Sequence, residues 1–212
     1  MRLLIVGATG LVGNLVLNLA QADDRVAEII APTRRGLAPR PKLDAPIVNF
    51  DALPEDAAWW RADAVICALG TTMRIAGSKP AFRRVDHEYP LAIARLARSH
   101  GARAYVLNSA LGANPAASSS YLQVKGEIER DLAPLGFASL TYVRPGLIGG
   151  ARQEVRPAEQ IMMPVLAMLA PLIPKKWRIN PAPIIASALL EAAIAAKPGQ
   201  HVVASDQLTG AP

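Results

Sequence analysis

Three glycines near the start of the chain, Gly7-Ala-Thr-Gly10-Leu-Val-Gly13, constrain its fold more than any other feature. Before them, Leu3 to Val6 is short and aliphatic, as a buried strand is. After them, Leu11 to Gln21 carries helical spacing. Glycines are common in turns, but a glycine-rich turn joining a strand to a helix is far more restrictive. Gly7 permits the sharp exit from the strand and Gly13 lets the helix pack closely on the sheet. Gly10 leaves room for the backbone to approach a pyrophosphate. The start of such a helix offers free N–H groups and the positive end of its dipole to an anion. Gly7, Thr9, Gly10, Leu11 and Val12 are therefore candidate cofactor contacts. The spacing, G-x-x-G-x-x-G, is one residue longer than G-x-G-x-x-G.

The same alternation continues along the chain. Ala27 to Ala31, Pro46 to Asn49, Ala64 to Ala68, Ala104 to Ser109 and Ser139 to Arg144 read as strands. They lack strict polar alternation, which is the pattern of strands buried on both faces. Helical segments run from Pro80 to His100 and from Tyr121 to Leu135, with Gly101 and Gly136 as C-terminal caps. Pro90 predicts a kink or restart in the first of these. A helix over Pro183 to Ala196 and a strand over His201 to Ala204 close the chain. The predicted class is α/β: a Rossmann-type doubly wound parallel sheet with a small C-terminal cap. All of 1–212 forms one domain, with 145–183 as a substrate cap rich in proline.

Composition removes several alternatives. The net charge is +6, but lysine and arginine are scattered in pairs such as Arg34-Arg35 and Arg83-Arg84. Without a basic stripe or stacking platform, nucleic-acid binding is not expected. One cysteine, Cys67, excludes an internal disulfide, and three separated histidines offer no metal-ligand spacing, so no metal is expected. The apolar stretch from Ile161 to Ile173 is too short to span a bilayer. With no leader recognisable at the start of the chain, a cytoplasmic location is expected.

The end of the second strand selects the cofactor. NAD sites usually place a carboxylate there for the ribose 2′-hydroxyl. This chain has Ala31-Pro32-Thr33-Arg34-Arg35. A guanidinium suits a 2′-phosphate and can stack on adenine, so NADP(H) is expected. Asp51, after the third strand, is a candidate for the adenine amino group. Leu69, Gly70 and Thr71, after the fourth, are candidates for lining the adenine and ribose.

Tyr121 and Lys125 lie one helical turn apart on a shared face. A nearby ammonium favours an ionised tyrosine, so Tyr121 is a candidate acid/base for a carbonyl oxygen. Lys125 would also hold the nicotinamide ribose. Ser109, at the end of the fifth strand, is a candidate for orienting the substrate oxygen. Tyr-x-x-x-Lys is weak by itself and gains weight from the glycine turn upstream.

Together, GATGLVG (7–13), TRR (33–35), CALGTT (67–72), SALGAN (109–114), YLQVKGEIE (121–129) and VRPGLIGG (143–150) resemble the atypical branch of the short-chain dehydrogenase/reductase superfamily. The chain is similar to the HIV Tat-interactive-protein-like, or CC3-like, oxidoreductases over nearly its whole length. That resemblance implies bound NADPH and a catalytic Ser109, Tyr121 and Lys125. It also places Pro145, Leu147 and Ile148 beside the nicotinamide.

In the cap, Met162, Met163 and Met168 stand among aliphatic residues. They either line a pocket for a small apolar carbonyl or quinone, or face the core. Membrane contact beside Lys175 and Lys176 is a weaker alternative. A non-catalytic NADP(H)-sensing regulator acting through protein partners is the alternative to an enzyme. The sequence leaves oligomeric state open.

Overall fold

The computed structural model describes residues 1–149 and 178–209. Its strands are β1 (Arg2–Val6), β2 (Glu28–Ile30), β3 (Leu43–Asp44), β4 (Ala64–Cys67), β5 (Ala104–Asn108), β6 (Ser139–Arg144), β7 (Ile148–Gly149), β8 (Asn180–Pro181) and β9 (Gly199–Ala204). Its helices are α1 (Leu11–Ala22), α2 (Met73–Ala76), α3 (Lys79–Arg83), α4 (Tyr89–Ser99), α5 (Ser120–Leu132) and α6 (Ala182–Ala195).

Seven strands form one parallel sheet in the order β3-β2-β1-β4-β5-β6-β9, while β7 and β8 pair separately. The strand order reverses between β1 and β4. In an open parallel sheet this switch point, at the carboxyl ends of the strands, opens a crevice for ligands.

Burial on both faces explains the aliphatic strands. Leu3 and Ile5 of β1 join the core under α1 and α6, while Leu4 and Val6 join the core under α4 and α5. All four are fully buried. Helix α1 turns Val12, Val16, Leu17 and Ala20 inward, a stripe at helical spacing. The doubly wound α/β architecture expected from the sequence is thus present.

Two local departures trace to prolines. The strand expected at Pro46 to Asn49 is reduced to a bridge between Thr33 and Ile47, and the ladder with β2 lies earlier, at β3. Pro46 has no N–H to donate; only its carbonyl takes part, accepting from Thr33 N at 3.0 Å. The long helix from Pro80 is divided into α3, a π-helical turn over Arg84–Glu88, and α4. Pro90 cannot donate to the Asp86 carbonyl, and just before it the Tyr89 N–H reaches back five residues to Arg84 O. Gly101 and Gly136 adopt the left-handed conformation expected of caps, at φ +97° and +75°. The proposed cap falls largely on 150–177, outside the described residues, as do Met162, Met163, Met168, Lys175 and Lys176.

Leu4→Ala should cost about 2–5 kcal/mol of stability, read as a lower urea midpoint at unchanged m-value, the range for emptying a buried leucine site. A loss below about 1 kcal/mol would contradict the two-faced core.

Candidate functional site

The three glycines have different physical roles. A Cβ on Gly13 would lie 2.1 Å from Gly7 O, and one on Gly7 would lie 2.6 Å from the Ala68 carbonyl carbon. Gly7 also has φ +89°. Both glycines are required by the protein's own backbone. A Cβ on Gly10 would meet only Gly7 O, at 3.4 Å. Gly10 precedes α1 without a side-chain cap, and no acidic residue occupies the first turn. Thr9 and Gly10 are exposed, Leu11 is half-buried and Val12 buried. The turn therefore leaves space at Gly10, beside N–H groups and a dipole that favour an anion.

Arg34 and Arg35 are exposed just past β2. Thr33 is buried, and its hydroxyl donates to Arg35 O at 2.5 Å. Asp51 is held by a partner the sequence did not reveal: Tyr89 donates its phenol proton to Asp51 Oδ1 at 2.7 Å. Arg84 Nη1 lies 4.0 Å from the same oxygen. Burial, and then the Asp51 carboxylate, raise the Tyr89 pKa and keep it a donor. Leu69, Gly70 and Thr71 follow β4 at the switch point. Thr71 N donates to Asp86 Oδ2 at 2.8 Å.

Asp86 is the main element missing from the sequence reading. The π-helical turn carries it inward, to 1% exposure, where Oδ1 lies 2.9 Å from Lys125 Nζ. The contact is an ion pair between two buried groups. Lys125 also reaches Asn108 O at 3.5 Å. Burial works against the ammonium, but Asp86 together with Tyr121 and Cys67 outweighs it, and the Lys125 pKa stands above the ordinary value. One turn earlier on α5, Tyr121 is 38% exposed, with its ring 5.9 Å from Phe82. The helix thus carries an accessible phenol above a buried cation.

Ser109 is nearly buried, and its hydroxyl donates to Glu129 Oε1 at 2.5 Å. Arg144 Nε donates to the same oxygen at 3.0 Å, and Arg144 Nη2 bonds Glu129 Oε2. Tyr142 donates to the Glu129 backbone carbonyl at 2.6 Å. Glu129 lies four residues beyond Lys125 and eight beyond Tyr121, on their shared helix face; that periodicity was the available signal. The Pro145 to Ile148 segment is tied down as well. Pro145 O accepts from Leu111 N, Gly146 N donates to Asn180 Oδ1, and Leu147 O accepts from Asn180 N. Pro145 is buried, Ile148 half-buried and Leu147 exposed.

No protein-family model matches the chain. Protein fmp52, mitochondrial, of Aspergillus niger is 32% identical over 217 residues, covering 96% of this chain and 92% of its own. Protein HTATIP2 of Rattus norvegicus is 37% identical over 160 residues, covering 73% and 66%. The solved structure of MoeE5 in complex with UDP-glucose and NAD superposes with a TM-score of 0.74 at 19% identity, covering 96% of this chain and 75% of MoeE5.

The chain has the Rossmann fold shared by solved NAD-binding epimerase/dehydratase-type enzymes. Within that fold class, the chain belongs to the family of the Fmp52 and HTATIP2 proteins.

The cytoplasmic expectation is corrected by the same comparison, because several Fmp52 relatives are named mitochondrial. It rested on recognising no leader in the sequence, and such an absence carries no positive information about compartment. Among the described residues, no helix is long and apolar enough to cross a membrane.

Asp86→Asn, which leaves the buried Lys125 ammonium without its counter-charge, should cost about 3–5 kcal/mol of stability. Adding Lys125→Met should recover part of that loss. Urea denaturation of both variants measures this, and an unchanged single variant would contradict the pairing.

Proposed function

We propose that the chain is an NADP(H)-dependent oxidoreductase that reduces a small, apolar carbonyl or quinone. The observation carrying this reading is the arrangement on α5: an exposed Tyr121 phenol one turn from a buried, ion-paired Lys125, at the carboxyl side of a parallel sheet. The glycine turn at the switch point fits a dinucleotide, because Gly10 keeps open the space a Cβ would fill.

The roles follow from position and chemistry. The start of α1, with Thr9, Gly10, Leu11 and Val12, would hold the pyrophosphate. Arg34 and Arg35 would pair with the 2′-phosphate, since no carboxylate follows β2 to receive a 2′-hydroxyl. Asp51 would accept from the adenine amino group, held in place by Tyr89. Leu69, Gly70 and Thr71 would border adenine and ribose; Pro145, Leu147 and Ile148 would border the nicotinamide. When bound, the reduced cofactor supplies a hydride to the carbonyl carbon. Tyr121 then gives its proton to the oxygen, completing an alcohol, and regains a proton from solvent through its exposed edge. Lys125 would hold the ribose hydroxyls.

Arg34→Ala should weaken NADPH binding by about tenfold or more while barely changing NADH binding, since a charge-assisted contact to the 2′-phosphate is worth about 1.5–3 kcal/mol. Equal losses for both cofactors in a fluorescence titration would refute the NADP assignment.

Following NADPH absorbance with a panel of aldehydes, ketones and quinones tests the chemistry. Turnover should fall by about 10²-fold or more in Tyr121→Phe, with cofactor binding retained. NADPH binding without turnover across the panel would overturn the reductase reading in favour of a cofactor-sensing regulator.

A further inference from the structure

One edge of the large sheet is left open by the topology. β9 ends the strand order beside β6, and among the described residues nothing pairs with its other side. The alternation of a parallel ladder tells which backbone groups point outward. Gly199 N donates to Ala138 O at 2.8 Å, so Gly199, His201 and Val203 turn their peptide groups towards β6. Gln200, Val202 and Ala204 turn theirs away. The Ala204 N–H fits that phase, because it is held by Gln207 Oε1 at 2.8 Å rather than by β6. The free edge therefore comes down to Gln200 and Val202, both exposed, Val202 at 44%.

Natural sheets protect such an edge with proline, a charged side chain, a bulge or a covering element. Gly-Gln-His-Val-Val-Ala over 199–204 holds no proline and no Lys, Arg, Asp or Glu. Its register with β6 runs unbroken from Gly199 to Ala204, so no bulge interrupts it. On the α5 side, Gln200 borders an open groove of about 310 Å³ instead of a packed helix.

We propose that β9 pairs antiparallel with β9 of a second copy of this chain, making one sheet continuous across a two-fold axis at His201. The register follows by elimination. An axis between two residues would set an outward group against an inward one. An axis at Val202 would set Gln200 opposite Ala204, whose N–H is already held by Gln207. An axis at Gln200 would set Val202 opposite Pro198, which has no N–H. An axis at His201 puts Gln200 of one copy opposite Val202 of the other, and each has a free donor and a free acceptor. The ends agree in charge. Exposed Lys197, just before β9, comes beside exposed Asp206, just beyond β9 in the other copy. A two-fold contact is self-complementary and closes at two copies. It uses no residue assigned to the cofactor, so it stands apart from the oxidoreductase reading.

Sedimentation equilibrium of the full chain tests the pairing. The wild type should run at the mass of two chains. Val202→Pro removes an outward N–H and no bond to β6, so the variant should keep its circular dichroism spectrum and fall to the mass of one chain. Gln200→Lys with Val202→Lys sets lysines opposite one another and should also give single chains. Gln200→Lys with Val202→Glu sets opposite charges across the axis and should restore the pair. A wild type that stays monomeric up to its solubility limit would overturn the proposal. So would a dimer that survives either Val202→Pro or the paired lysines, or a charge-swapped chain that stays monomeric.

Discussion

The buried ammonium of Lys125 is the interaction on which the candidate site depends. At 4% exposure, an isolated cation would lose several kcal/mol of hydration. Asp86 offsets that loss, and reaches the site because the helix before α4 widens into a π turn. The turn in turn sits immediately before Pro90, which has no N–H to continue the regular ladder. A single proline thus helps shape the position of a charge. The second oxygen of Asp86 holds Thr71 N, so the same carboxylate ties α5 to the loop leaving β4.

Around this pair, the fold separates structural from ligand-directed constraints. Gly7 and Gly13 are demanded by backbone contacts that no side chain could share. Gly10 is not: the protein leaves space there, beside the uncapped start of α1. A sheet buried on both faces makes the turn rigid, because β1 contributes alternate residues to both cores. The strand-order reversal between β1 and β4 brings the glycine turn and the 69–71 loop to one crevice. From the far side, α5 presents Tyr121, Lys125 and Glu129 on a single face.

Much of this was legible in the amino-acid order. Double-sided burial leaves aliphatic runs, and β6 spans the very residues, Ser139–Arg144, that the pattern indicates. The helix carrying Tyr121 and Lys125 was equally clear from its spacing. The third strand was misjudged because local apolarity outweighed the missing N–H of Pro46. Asp86 was invisible because nothing local tells a buried acid from a surface one; its role depends on a lysine 39 positions later. Ser109 shows the same limit, since its position could be inferred but the direction of its proton depends on Glu129 and Arg144. Compartment was not legible at all.

A crystal structure of the chain with NADPH tests the central claim most directly. The account predicts the pyrophosphate over Gly10 at the start of α1 and the 2′-phosphate against Arg34 or Arg35. Lys125 Nζ should lie within hydrogen-bond distance of the nicotinamide ribose while keeping its contact with Asp86. A dinucleotide bound elsewhere, or a nicotinamide remote from Tyr121 and Lys125, would contradict it.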